Sequence, residues 1–282
     1  MSFDKKNPYF QEDGVPKTRK SVVVFADILG FTNEMIKAYD ENRADKLLTK
    51  LHSALNDSYK LLKYKVDKED MWLFQKLWAT KTFTDNIVIG LPISENVEDD
   101  MEEVFFHVGL LQHSMTMAGF FIRGAIAIGD LYIDDDIVFG GGLIEAYRAE
   151  NQLARDPRII LAPSAIDYNN LHISDYLEIE YSPQYRVLLR DVDGQIFLNY
   201  LENILPQGHE SGPFHEGLLE HKEIVEKKLE NFSNDPIIWN KYAWVANYHN
   251  YFCGQYGYLH ESYKIDHEKF RKNPTRITKL IN

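Results

Sequence analysis

The feature that most restricts the fold is the run at residues 21–27, SVVVFAD. Consecutive β-branched and apolar residues without alternation describe a strand covered on both faces, so other layers must flank it. The run closes on Asp27, and Gly30, Phe31 and Thr32 lead out of it. Beyond them Met35, Ile36, Tyr39, Leu47, Leu48, Leu51 and Leu55 recur at three- and four-residue intervals. That spacing predicts one long amphipathic helix, which Thr32 or Asn33 is placed to cap.

Residues 72–92 predict two strands around a tight turn made by Thr84, Asp85 and Asn86. Residues 97–119 predict a second amphipathic helix, and residues 120–139 a strand pair broken at Gly129-Asp130. A helix over 143–155, a short strand at 158–161, a helix opened by Pro163 and a hairpin over 185–200 turning at Asp193-Gly194 follow. The order β-α-β-β-α-β with additions is the ferredoxin-like split pattern, an α/β (α+β) fold with additional strands. Residues 1–20, polar and carrying Pro8, Gly14 and Pro16, are expected as an N-terminal arm outside the core. Residues 21–205 form the expected catalytic domain. Residues 206–282, opening on PQGHESGP and carrying the WNKYAW cluster, form the expected C-terminal helical extension.

A net charge of −12 opposes nucleic acid and anionic lipid, and neither is expected as a partner. The single cysteine, Cys253, suits a reducing compartment, so a cytoplasmic location is expected. The first residues lack the apolar run of a signal peptide, and no stretch has the length of a membrane span. A small anionic substrate would then need a local cluster of cations or a bound metal.

Three segments supply that chemistry. In FADILGFT (residues 25–32) a carboxylate at a strand end precedes a glycine turn into a helix, whose first amides favour phosphate. In KTFTDN (residues 81–86) Asp85 sits at a hairpin tip. If the two strands are neighbours, Asp27 and Asp85 converge and suit two magnesium or manganese ions that bind a triphosphate. The third runs from RGAIAIG (residues 123–129) to EAYR (residues 145–148) and brings Arg123 and Arg148 to neutralise phosphate charge. The plainer readings are a helix-start acid for Asp27, a turn residue for Asp85, a solvated strand lysine for Lys81 and an ion pair of Arg148 with Glu145 or Glu150. The run 134–136 reads as a solvated hairpin tip, and Asp191-Val-Asp193-Gly194 as a turn, not a calcium loop. The glycines at 140–142 lack the GK[ST] of a phosphate loop. The ten histidines show no zinc spacing.

Together these segments resemble the class III nucleotidyl cyclases over residues 20–200. FADILGFT is similar to that family's first metal segment, which implies metal contacts by Asp27 and the backbone at Ile28, with Phe31 and Thr32 beside the substrate phosphates. By the same resemblance Asp85 is the second metal aspartate and Lys81 the base-contacting lysine. Arg123 then meets the phosphates, and Arg148 is the transition-state arginine. The resemblance implies two divalent metals, Mn2+ or Mg2+, a nucleoside triphosphate substrate and a head-to-tail homodimer with shared sites. Two positions depart from the family pattern: Ile137 stands where it has a purine-reading aspartate, and Ile144 where it has an asparagine. An intact metal half with an altered purine half resembles the bacterial pyrimidine cyclases of anti-phage defence. That implies conversion of UTP to 3′,5′-cyclic UMP and pyrophosphate, the product being read by a separate cyclic-nucleotide effector. Cytidylate cyclase, adenylate cyclase and an inactive cyclase-fold dimerisation or sensor module are the alternatives.

Overall fold

The computed structural model describes residues 7–62, 78–93, 100–174, 176–178, 180, 182, 184–204, 213–256 and 261–272. Strand β1 (Arg19–Ile28) is followed by helices α1 (Phe31–Asp40) and α2 (Ala44–Leu62). Then come the hairpin β2 (Ala79–Phe83) and β3 (Asn86–Pro92), α3 (Asp100–Met117) and β4 (Ile122–Ile133). The additions are β5 (Val138–Phe139), α4 (Gly141–Leu153), β6 (Ile159–Leu161), α5 (Pro163–Ile173), α6 (Gln184–Val187), β7 (Leu188–Arg190) and β8 (Ile196–Leu198). Two long helices, α7 (Pro213–Asn231) and α8 (Pro236–Gly254), come last.

The strands form one sheet in the order β2-β3-β1-β4-β6-β8-β7, with β5 paired to β4. β1 lies between β3 and β4 and is antiparallel to both, while β6 joins β4 in parallel. The first four strands are therefore the split βαββαβ arrangement, and the α/β fold expected from the sequence is the observed one. β1 is buried along almost its whole length, as its unbroken apolar run requires. Val22, Val24 and Ile28 face a core shared with α1, α2 and α3, through Phe31, Leu51, Val104 and Phe105. Val23 and Phe25 face the opposite core, shared with Ala146 and Ala149 of α4 and with Tyr248 and Phe252 of α8.

Four local expectations are corrected. The single long helix is two, because Asn42 takes a left-handed φ of 54° and ends the first. α1 is capped by Gly30 at φ 71° with no side-chain cap, so neither Thr32 nor Asn33 serves. β4 runs straight through Gly129-Asp130, and the chain turns instead at 134–137, where Asp134 Oδ1 accepts from the amides of Asp136 and Ile137. Gly129 is there for close approach: a Cβ on it would lie 2.9 Å from Gly142 Cα at the start of α4. The arm does not stay outside the core, since Tyr9 is fully buried and hydrogen-bonds Ser21 Oγ at 3.0 Å. The hairpin over 185–200 begins with the short α6 and then forms β7 and β8 around 191–195. The expected strand over 72–77, the helix start at 97–99 and the PQGHESGP segment up to 212 lie outside the described residues.

α8 is tied to the sheet by Arg158, which is fully buried just before β6. Its guanidinium bonds the carboxylates of Asp191 and Asp193 in the β7–β8 turn, and lies over the rings of Phe197 (5.7 Å) and Trp244 of α8 (5.4 Å). Asp191 Oδ2 also accepts from Trp244 Nε1 at 2.7 Å. The Asp191–Gly194 segment is thus a turn whose acids serve an arginine. A second buried knot joins the last two helices: the rings of His221 and His249 stack with their Nδ1 atoms 3.0 Å apart, and Tyr200 Oη is 2.9 Å from His221 Nε2.

Candidate active site

Asp27 and Arg123 are register partners across the β1–β4 ladder and face the α4 side of the sheet. Side chains directly opposite on one face are the closest a sheet provides. Arg123 donates to both Asp27 oxygens, each at 2.9 Å, in the forked geometry that suits a carboxylate. The stripe of Ala125, Ala127 and Gly129 on that face lets α4 sit close, and α4 brings a second carboxylate, Glu150, to 2.9 Å from Arg123 Nε.

One guanidinium cannot neutralise the half-buried Asp27 and the buried Glu150 equally. Asp27 receives the well-aligned hydrogen bonds, whereas Glu150 Oε1 is in ionic contact but without hydrogen-bond geometry. Burial, with Asp27 adding, pushes Glu150 up to about 7, against the pull of Arg123 and Lys241. Lys241, half-buried on α8, is held below the usual lysine range by burial and by Arg123. Glu150 and Lys241 were missed as site residues. Glu150 had a sequence signal, since Ala146, Ala149, Glu150 and Leu153 make an i, i+3, i+4, i+7 stripe with one acid in it. Lys241 had none, because its position depends on how a distant helix packs.

Asp85 stands at the tip of the β2–β3 hairpin. Its backbone carbonyl accepts from Ile28 N at 3.1 Å, so the two acid-bearing segments are tied together at one end of the sheet. Asp85 Oδ1 accepts from Thr84 Oγ1 at 2.8 Å and Asn86 Nδ2 at 3.3 Å. Thr84 takes φ 54°, which a two-residue turn of type II′ needs at its first position and which costs a β-branched residue about 1–3 kcal/mol. The strain sits beside the Asp85 carboxylate. Phe31 is buried at the start of α1, and Thr32 is exposed beside it.

Lys81 on β2 points at the β4–β5 turn, where Nζ donates to the carbonyls of Asp134 (3.3 Å) and Asp135. Lys81 and the Ile137 turn are therefore neighbours in one chain. Arg148 is exposed on α4 and has no ion pair among the described residues: Glu145 accepts from Ser164 N, and Glu150 is beside Arg123. Ile137 in the β4–β5 turn, Phe139 on β5, and Ile144 and Tyr147 on α4 are 56%, 66%, 52% and 49% exposed.

The donors expected from the sequence, two carboxylates and the Ile28 carbonyl, are all oxygen, the kind a hard divalent cation takes. Among the described residues no group of three acidic, histidine or cysteine side chains gathers, so the backbone carbonyl and the substrate would have to complete the shell. Among the described residues no helix is long and apolar enough to cross a membrane.

No family model and no curated protein matches the chain. Among solved structures it is similar to a class III adenylyl cyclase-like ATP-binding protein from Pseudomonas aeruginosa. That likeness has 15% identity and a TM-score of 0.37, and covers 54% of this chain and 35% of that one. It is also similar to the guanylyl cyclase Cya2, with 10% identity and a TM-score of 0.38, covering 64% of this chain and 91% of that one. The chain thus spans about a third of the length of the Pseudomonas protein.

Proposed function

We propose that the chain is a cytoplasmic pyrimidine nucleotide cyclase that converts UTP to 3′,5′-cyclic UMP and pyrophosphate, a signal in anti-phage defence. The observation that carries this reading is the Ile28 N to Asp85 O hydrogen bond, which joins two acid-bearing turns beside the Gly30 entry to α1. Two metal-binding carboxylates next to free helix-start amides are what a triphosphate requires.

Asp27, the Ile28 carbonyl and Asp85 would hold two divalent ions, Mn2+ or Mg2+. Bound ions supply charge that acidifies the ribose 3′-hydroxyl and neutralises the triphosphate. Arg123, which donates to both Asp27 oxygens, would grip phosphate oxygens when the Asp27 carboxylate serves as a metal ligand. The amides at Phe31 and Thr32 bind the terminal phosphates. The 3′-oxygen attacks the α-phosphorus, the bond to the bridging oxygen breaks, pyrophosphate leaves and the hydroxyl proton passes to solvent. Arg148 of the partner subunit balances charge on the five-coordinate phosphorus. Its freedom from ion pairs among the described residues suits that task, and the exposed Ile137, Phe139, Ile144 and Tyr147 suit burial against a second copy.

Base choice rests on Lys81 and its neighbour Ile137. Lysine donates and cannot accept, and isoleucine offers neither. Adenine would leave its amine unpaired there, at about 1–3 kcal/mol, whereas uracil presents carbonyl oxygens. CTP ranks second, since Asp136 would accept from the cytosine amine if the β4–β5 hairpin slipped by one residue, and ATP third. The test uses UTP, Mn2+ and the whole chain. Wild type forms cyclic UMP; Asp27→Ala and Arg148→Ala chains are each inactive, and mixing them restores product through one intact composite site. Failure of the mixture despite subunit exchange would refute the shared site.

A further inference from the structure

A cavity of about 870 Å³ lies between α1 and α2 on one side and the α7–α8 pair on the other. Six cations line it: Lys37, Arg43, Lys46 and Lys50 from the first side, Lys227 and Lys228 from α7. Two carboxylates face them, and both are engaged. Glu34 pairs with Arg43 at 2.8 Å, and Asp235 Oδ1 caps α8 by accepting from the amides of Ile237 and Ile238. Among the described residues, Lys46, Lys50, Lys227 and Lys228 make no ion pair. In a chain of net charge −12, four such amines gather around one cavity, with Glu34, already paired to Arg43, as the carboxylate that offsets part of their repulsion.

The walls are aromatic. Phe31, Phe120, Phe232 and Tyr242 line the cavity, Lys50 Nζ lies 5.1 Å from the Phe120 ring centre, and Lys228 Nζ lies 5.8 Å from that of Tyr242. Burial holds Lys50 and Lys228 below the usual lysine range; Glu34 opposes this at both, and the neighbouring amines add to it. A bound anion would relieve that repulsion. The volume is that of a small-molecule site, and its mixture of apolar rings with converging cations suits a base joined to a phosphate chain.

We propose that this cavity binds a nucleoside polyphosphate, which clamps the C-terminal helix pair onto the core. It is a second site. Ile28 faces the α1–α3 side of the sheet, where the cavity opens, and Asp27 faces the α4 side. The two share the segment from Ile28 to Phe31, which meets the cavity through the Ile28 and Phe31 side chains and the metal site through backbone groups, and the cavity needs no metal.

The test is calorimetry on the full chain carrying Asp85→Asn, in EDTA, with ATP, UTP, tripolyphosphate, inorganic phosphate and sulfate. Disabling the metal site and reading binding directly separates this proposal from the cyclase reading, which is tested by turnover. The nucleotides are expected to bind, and more weakly as salt rises. Lys46→Gln combined with Lys227→Gln, both at exposed positions, should lower the affinity about tenfold or more without lowering the thermal midpoint of the empty protein. Absence of nucleotide binding, or affinity unchanged by the lysine substitutions, would overturn the site. Tripolyphosphate binding as tightly as the nucleotides would overturn the assignment of the aromatic wall to a base.

Discussion

Replacing Glu150 with Gln isolates the electrostatics of the candidate site, because the amide keeps the shape and removes only the titrating group. Glu150 holds its proton to about pH 7 in the folded chain, against a usual 4.5. The folded carboxyl therefore binds more protons than the unfolded one between those values, and folding stability falls as pH rises across that window. The full difference is worth about 3 kcal/mol. Arg123, 2.9 Å away and 25% exposed, can follow the charge as it appears, which brings the expected effect to about 1–3 kcal/mol. Glu150→Gln should be close to neutral at pH 5 and stabilising by that amount at pH 8.5. In a chain of this size that is about 2–4 °C per kcal/mol. Denaturant melts of both chains at half-unit steps from pH 5 to 8.5 measure it. A stability difference that does not change with pH, or a Gln variant weaker at pH 8.5, would refute the reasoning about a shared guanidinium.

Two other perturbations test the attachment of the last helices. Arg158→Met leaves Asp191 and Asp193 without their cation and should cost about 3–5 kcal/mol, read as a fall in the denaturation midpoint; a loss under 1 kcal/mol would mean that water already screens the pair. Burial holds His113 of α3 and His249 down at about 4 and His221 well below its usual value. The unfolded chain takes up those protons near pH 6.5 while the folded one refuses them, so stability should drop steeply between pH 6.5 and 4. His113→Gln should flatten that slope by up to about 3 kcal/mol, and an unaltered acid profile would contradict it.

The sheet was legible because its central strand is written without interruption: residues 21–27 allow no surface position, and the β2–β3 hairpin carries its turn at Thr84-Asp85. Glycine misled at 129, since the same residue marks a turn and a close approach, and only the α4 backbone lying against β4 decides between them. Asn42 was invisible as a helix break because the apolar spacing continues across it; left-handed backbone at a single asparagine leaves no periodic trace. Tyr9 was read as outside the core from the polarity of its neighbours, yet one buried ring is enough to hold the arm on the sheet. In the site, Asp27 and Arg123 were assigned separate tasks from their separate segments. Their pairing follows from strand register, which no local motif encodes. Lys241 depends on the docking of α8, a contact between residues more than 200 positions apart in the chain, counted from Asp27.

Cyclisation of a pyrimidine nucleotide is tested most directly by incubating the purified chain with Mn2+ and equal concentrations of UTP, CTP, ATP and GTP, and separating the cyclic products by chromatography. The expected main product is 3′,5′-cyclic UMP, with cyclic CMP second. Cyclic AMP or cyclic GMP in the larger amount would contradict the base reading at Lys81 and Ile137, and absence of any cyclic nucleotide would contradict the catalytic assignment of Asp27 and Asp85.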